Sequence, residues 1–173
     1  MKRWDVLDRL IKQNGFEFVV ELGVKEGKLT AFLLANNSDL RMVAVDLFAP
    51  INRADGPGVE TYHDWNFEQI KREFIQRVEP YKNRVQLMQM LTTEAAPFVV
   101  DGNVDLVFID AGHDYDSVIA DIEAWLPKVR SGGIVSGHDY QQKFPGVQRA
   151  VAEKLPLHEI KLEDDSVWWW RKP

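Results

Sequence analysis

The chain contains no cysteine, which excludes disulfide staples and thiolate metal sites outright. Long apolar runs are missing too. No stretch approaches the ~18 apolar residues of a membrane span. The opening Met1-Lys2-Arg3-Trp4-Asp5 leads into an amphipathic pattern rather than a secretory signal. A cytoplasmic protein with no membrane partner is therefore expected. Positive charge is scarce: 21 lysines and arginines face 27 aspartates and glutamates, a net charge of −6. Nucleic-acid binders usually carry a basic face, so no nucleic-acid partner is expected. What remains is an ordinary globular mixture, 45% hydrophobic and 28% charged. At 173 residues it suits one domain over 1–173 better than two.

Periodicity supplies the organisation. Trp4, Leu7, Leu10 and Ile11 recur at helical spacing, and Asn14-Gly15 ends that helix. Short apolar runs at 16–22, 42–47, 85–90, 104–109 and 134–136 read as strands. Helices are predicted between them around 29–34, 67–78, 118–126 and 147–151. Nearly continuous apolar strands imply burial on both faces, hence a parallel sheet between helices. The end differs: 158–162 and 167–170, joined by Glu163-Asp164-Asp165, predict an antiparallel hairpin on one sheet edge. The stretch from Phe48 to Asp64, with Asp55-Gly56-Pro57-Gly58, is too polar and Gly/Pro-rich for a regular element and reads as a loop.

Open α/β sheets bind ligands beyond the carboxyl ends of their strands. Those positions here are rich in acids and histidines. The first such loop, Glu21-Leu22-Gly23-Val24-Lys25-Glu26-Gly27-Lys28-Leu29-Thr30, superficially resembles a phosphate-binding loop. Only three residues separate its glycines, and Leu29 stands where a magnesium-binding hydroxyl is needed. The G-x-G-x-x-G of dinucleotide folds is absent as well, and Glu21 would repel a pyrophosphate. A cationic ligand without phosphate reverses that argument. S-adenosylmethionine (SAM) carries an ammonium that Glu21 can hold, and Gly23 lets the backbone approach closely. Asp46, after the second strand, is placed to accept from ribose hydroxyls. That geometry also serves NAD, which keeps a nicotinamide-dependent oxidoreductase as an alternative.

Val19-Val20-Glu21-Leu22-Gly23 with Asp46 resembles the first motifs of class I SAM-dependent methyltransferases. More specific are Ile109-Asp110-Ala111-Gly112-His113-Asp114-Tyr115 and Gly132-Gly133-Ile134-Val135-Ser136-Gly137-His138-Asp139-Tyr140. They resemble a small methyltransferase subfamily whose relatives include O-methyltransferases of sugars and natural products. The resemblance covers nearly the whole chain. It implies a Rossmann-like α/β fold: a seven-stranded, mostly parallel sheet of order 3-2-1-4-5-7-6, helices on both faces and a C-terminal antiparallel hairpin. It implies O-methylation of a small molecule or saccharide, with SAM contacted by Glu21, Gly23, Asp46, Leu47, Leu91, Thr92 and Asp110.

Methyl transfer needs an oriented acceptor and removal of its proton, which for a sugar hydroxyl calls for a base or a metal. His113 and His138 are candidate bases, with Asp110 between cofactor and acceptor. Asp110, His138 and Asp139 could hold a hard divalent cation such as magnesium or manganese. Each of these residues also has a plain structural role open to it, as a cap or a backbone hydrogen-bonder, so a non-catalytic SAM-binding module stays a third reading. Tyr115 and Tyr140 suit packing or substrate orientation, and Asp121 a solvated helix face. The loop from Phe48 to Trp65, with His63 and Trp65, is placed to cover the site. On a strand, Trp168 and Trp170 share one face and Trp169 takes the other, which suits core packing first and a homodimer interface second.

Overall fold

The structure, a computed structural model, describes residues 1–50 and 65–173. Seven strands form one sheet: β1 (Phe18–Leu22), β2 (Arg41–Val45), β3 (Val85–Met88), β4 (Val104–Ile109), β5 (Val129–Gly137), β6 (Lys161–Leu162) and β7 (Trp168–Arg171). Their order is β3-β2-β1-β4-β5-β7-β6. β1 to β5 pair in parallel, while β7 runs antiparallel to β5 and to β6. The helices are α1 (Arg3–Asn14), α2 (Lys28–Asn36), α3 (Phe67–Val78), the single turn α4 (Thr92–Ala95), α5 (Tyr115–Trp125) and α6 (Pro145–Lys154). Both the strand order and the closing hairpin agree with the sequence reading.

The sheet separates two apolar layers because successive strand residues face opposite ways. Val20 and Leu22 join α5 and α6 residues such as Ile122, Trp125 and Val147 on one face. Val19 joins Leu7, Leu10 and Leu33 of α1 and α2 on the other. Phe74 and Val78 of α3 extend that second layer over Ala44 and Phe48. The tryptophan run follows the same alternation. Trp168 and Trp170 are buried among the first layer and Trp169 packs against the second, so core packing accounts for all three.

Helix ends follow local chemistry. α1 stops at Gly15, whose left-handed φ of 62° returns its N–H to Ile11 and Lys12 carbonyls. Asn66 caps α3 by accepting from the Gln69 N–H, and Asp114 caps α5 by accepting from the Ser117 N–H.

Three elements differ from expectation. The sequence places the start of the fifth strand after a Gly132-Gly133 turn, yet β5 starts at Val129 and carries both glycines inside it. Its register against β4 shifts between the Val104 and Leu106 pairs, and Gly132 takes φ 74° at that irregularity. The predicted strand at 158–162 begins inside a 3-10 turn over Leu157–Glu159, and only Lys161 and Leu162 pair with β7. The exposed His158 lies in that turn. The third strand ends at Met88, because the Met90 N–H turns back to the Met88 carbonyl.

Trp168 is fully buried and Trp169 only partly. Trp168→Ala should therefore cost ~3–5 kcal/mol, and Trp169→Ala clearly less. Urea unfolding of the two variants checks this; equal losses would show that the hairpin packs differently.

Candidate active site

The strand order reverses at β1: β2 lies on one side and β4 on the other. Loops leaving such a reversal diverge and open a crevice. Here the crevice is a cavity of about 460 Å³ over the carboxyl ends of β1, β2, β4 and β5. Every site residue expected from the sequence lines it: Glu21, Gly23, Asp46, Leu47, Leu91, Thr92, Asp110, His113, His138 and Asp139. Trp65 lines it as well, whereas Tyr115 and Tyr140 do not. His63 lies outside the described residues, as does most of the loop predicted to cover the site.

The glycine loop is shaped by two close approaches. Gly23 takes φ 82°, and a Cβ there would come within 2.3 Å of the Asp110 carbonyl oxygen. Only glycine permits β1 to turn this tightly against β4. Asp46 then gathers two loops. Its Oδ2 accepts from the Val24 and Lys25 N–H groups at 3.0 and 2.9 Å, and its Oδ1 accepts from Phe48 at 2.8 Å. Lys25 and Phe48 are left-handed non-glycines, φ 50° and 49°, held in place by this carboxylate. A carboxylate has about four acceptor positions, so roughly one remains for a ligand hydroxyl.

Glu21 sits at the floor, 3% exposed. Its Oε2 accepts from the Thr30 hydroxyl at 2.6 Å. Burial pushes its carboxyl up to about 8, with the Thr30 bond opposing and the Asp110 charge adding to the rise. An unpaired buried carboxylate of this kind favours a cationic ligand.

Across the cavity, β4 and β5 bring the aspartate–histidine segments together. His113 Nε2 stands 2.9 Å from Asp139 Oδ2 and 3.8 Å from Asp110 Oδ1. The approach to Asp139 is out of line with the ring N–H. Both ring nitrogens of His113 are thus buried without a hydrogen-bond partner among the described residues. The ring packs on Phe144 with centroids 4.6 Å apart. His138 Nδ1 lies 3.2 Å from Asp139 Oδ2 and 3.6 Å from Asp110 Oδ1. Asp139 is buried and left-handed, φ 59°, and accepts from Gln141 through its other oxygen. Burial opposes ionisation of Asp139, but His113 and His138 hold it well below the usual carboxylate range. Burial likewise works against the His113 imidazolium, yet Asp110 and Asp139 outweigh it and raise His113 to about 9. In this arrangement His113 carries a proton at neutral pH.

Ligand atoms of Asp110, His113 and Asp139 lie within 4.8 Å of one another, the spacing of a cation site. The histidine in this group is His113, where the sequence points to His138. His138 Nδ1, at 3.2 and 3.6 Å from Asp139 and Asp110, also stands 3.2 Å from the Arg3 guanidinium.

Two residues depart from what the sequence suggests. Asp121, expected on a solvated face, is 2% exposed and accepts from the Thr92 hydroxyl. The fold turns that face of α5 onto α4, and the Trp125 indole N–H secures the Thr92 carbonyl beside it at 3.0 Å. Asp121 therefore props the turn that lines the cavity. Arg3 belongs to no motif, yet it reaches the cavity from α1 and donates to Asp110 Oδ2 at 3.0 Å. No sequence signal joins positions 3 and 110.

A family model for a methyltransferase domain matches residues 20–140. The chain belongs to this family of methyltransferase domains. Among curated proteins, the uncharacterized protein y4gI of Sinorhizobium fredii is 28% identical over 132 residues, covering 74% of this chain and 14% of that protein. The uncharacterized protein R132 of Acanthamoeba polyphaga mimivirus is 25% identical over 144 residues, covering 78% and 59%. The chain thus spans less than two thirds of either relative. Among solved structures, the O-methyltransferase NovP matches with a TM-score of 0.77 and 20% identity over 98% of this chain and 79% of that one. The O-methyltransferase TomG from Streptomyces achromogenes, in complex with SAM, matches with 0.67 and 12%, over 99% and 80%. At these identities the likeness is one of fold.

Glu21 gives a pH test. A carboxyl raised in the folded state contributes stability that is full below its unfolded value near 4.5 and lost as pH rises through about 8. Without ligand, Glu21→Gln should match the parent near pH 4.5 and be more stable at pH 8.5. The expected gain is a few kcal/mol, at about 1.4 kcal/mol for each tenfold change in proton affinity. Thermal melts across that range check it, and parallel curves for the two proteins would count against a buried Glu21 carboxyl.

Proposed function

We propose that this domain binds SAM and methylates an oxygen of a small molecule or saccharide, with a divalent cation aiding the acceptor. The observation that carries this reading is the content of one cavity. A buried carboxyl at Glu21, a loop-gathering carboxylate at Asp46 and the Asp110–His113–Asp139 group all open onto it.

The residues fit the cofactor group by group. Glu21, pushed toward its neutral form by burial without a counter-charge, gives up its proton to face an incoming ammonium. Asp46 offers its remaining acceptor position to a ribose hydroxyl, and Gly23 keeps that wall free of side chain. Leu47, Leu91 and Thr92 supply the apolar edge for a flat base, with Asp121 bracing Thr92. When bound, SAM supplies a methyl carbon already activated by its sulfonium.

The acceptor end is the Asp110, His113, His138 and Asp139 cluster. Once His113 gives up the proton that Asp110 and Asp139 favour, its ring nitrogen and these two converging carboxylates fit a hard divalent cation. When bound, such an ion lowers the pKa of a coordinated hydroxyl. His138 is positioned on the same side to take the acceptor's proton. Asp110, shared by the cofactor wall and this cluster, orients the acceptor between them. Likeness of fold to NovP and TomG supports oxygen as the acceptor atom.

Calorimetric titration with SAM, S-adenosylhomocysteine and NAD, with and without magnesium, tests the reading. Micromolar SAM binding without NAD binding is expected; absence of SAM binding or preference for NAD would overturn it. Asp46→Ala should weaken SAM binding at least about tenfold, the order of one lost charge-assisted hydrogen bond plus a loosened loop. Lys12→Ala, on the outer surface of α1, should leave it unchanged.

A further inference from the structure

One carboxylate of the proposed cation site already has a cation. Arg3 donates from Nη1 to Asp110 Oδ2 at 3.0 Å, and the same nitrogen stands 3.2 Å from His138 Nδ1. Asp110 is thereby shared. Its Oδ2 faces the guanidinium, while its Oδ1 faces His113 and His138 at 3.8 and 3.6 Å.

Arg3 is fixed at its base, and its head group, held by Asp110, is partly exposed. Its backbone N–H donates to Asp165 Oδ2 at 2.9 Å, in the left-handed turn between β6 and β7. The backbone of α1 is thus pinned over the cavity. The side chain is 33% exposed, so the head group has a route to solvent.

An ion ligated by Asp110 would share that carboxylate with a guanidinium already in contact with it. Like charges this close repel strongly where water is partly excluded. A histidine or lysine could relieve the conflict by giving up its proton. Arginine cannot, since its guanidinium stays charged at every relevant pH. Movement of the head group is the way left to relieve that repulsion. We infer that Arg3 is a built-in competitor of the divalent cation: it neutralises Asp110 in the ion's absence and must swing toward solvent for the ion to bind. This rests on the cation site proposed above. It assigns to α1 a role in setting how tightly the site holds metal.

The test is Mn²⁺ binding to the whole chain, with free ion counted by electron paramagnetic resonance. The proteins compared are the parent, Arg3→Met, Arg3→Gln, Asp110→Asn and, as a charge control on the same helix, Lys12→Met. Thermal melts establish that each is folded; two neutral replacements of Arg3 guard against one that is not. Removing the competitor should tighten Mn²⁺ binding by up to about fivefold in Arg3→Met and Arg3→Gln, the order of one partly exposed ion pair that no longer has to be broken. Lys12→Met should bind like the parent and Asp110→Asn far more weakly. Unchanged or weaker binding by both Arg3 variants, with Asp110→Asn still impaired, would overturn the competition and leave the cation site standing. Equal tightening by Lys12→Met would also overturn it, by tracing the effect to net charge. No Mn²⁺ binding by any protein up to millimolar would remove the cation site itself, and the competition with it.

Discussion

The close approach of β1 to β4 at Gly23 and Asp110 governs the rest of the site. A side chain at Gly23 would collide with the Asp110 carbonyl, so the two strands end together only because position 23 is bare. From that point the loop after β1 turns toward β2 and meets Asp46, while the loop after β4 turns toward β5 and meets His138 and Asp139. The cavity is the space between those departures. Its Glu21–Asp46 wall and its aspartate–histidine wall meet at Asp110, which belongs to both.

Charge is the second constraint. The cavity holds Glu21, Asp46, Asp110 and Asp139 in partial or full burial, and each meets its desolvation differently. Asp46 directs its charge to backbone N–H groups and in return shapes the loops around it. Glu21 has only a hydroxyl and is pushed toward its neutral form. Asp139 is held ionised by two histidines. Asp110 is held by an arginine from the far end of the chain. The two walls therefore differ in what they lack. The floor at Glu21 lacks a counter-charge, whereas the aspartate–histidine wall already carries the positive charge of Arg3. In the proposed function, this difference separates a cofactor end from an acceptor end.

Much of this is legible in the sequence. Nearly continuous apolar runs in the inner strands, such as Val104–Ile109, require burial on both faces and so a parallel sheet. Residues just past those strands must then share one edge of the sheet, and all ten residues expected at the site do line one cavity. Less legible are features with no periodic signature. The Gly132-Gly133 pair reads as a turn by itself, yet pairing with β4 draws it into β5 as an irregularity. Asp121 carries a charge and so suggests solvent, but α4 packs over it and Thr92 supplies the missing partner.

Sequence alone determined the class of fold and the set of side chains at the strand ends, because hydrophobic period and strand-end position are local properties; its motifs carried the resemblance to the family. Tertiary structure alone decided which of those side chains meet. That Asp110 and Asp139 meet both His113 and His138, with His138 also against Arg3, depends on the left-handed backbone at Asp139 and on the seat of Phe144 against the His113 ring. Arg3 reaches Asp110 across more than a hundred residues because α1 packs beside the β6–β7 turn and Asp165 pins it there. Contacts of that kind come from packing between distant segments, and no spacing along the chain records them.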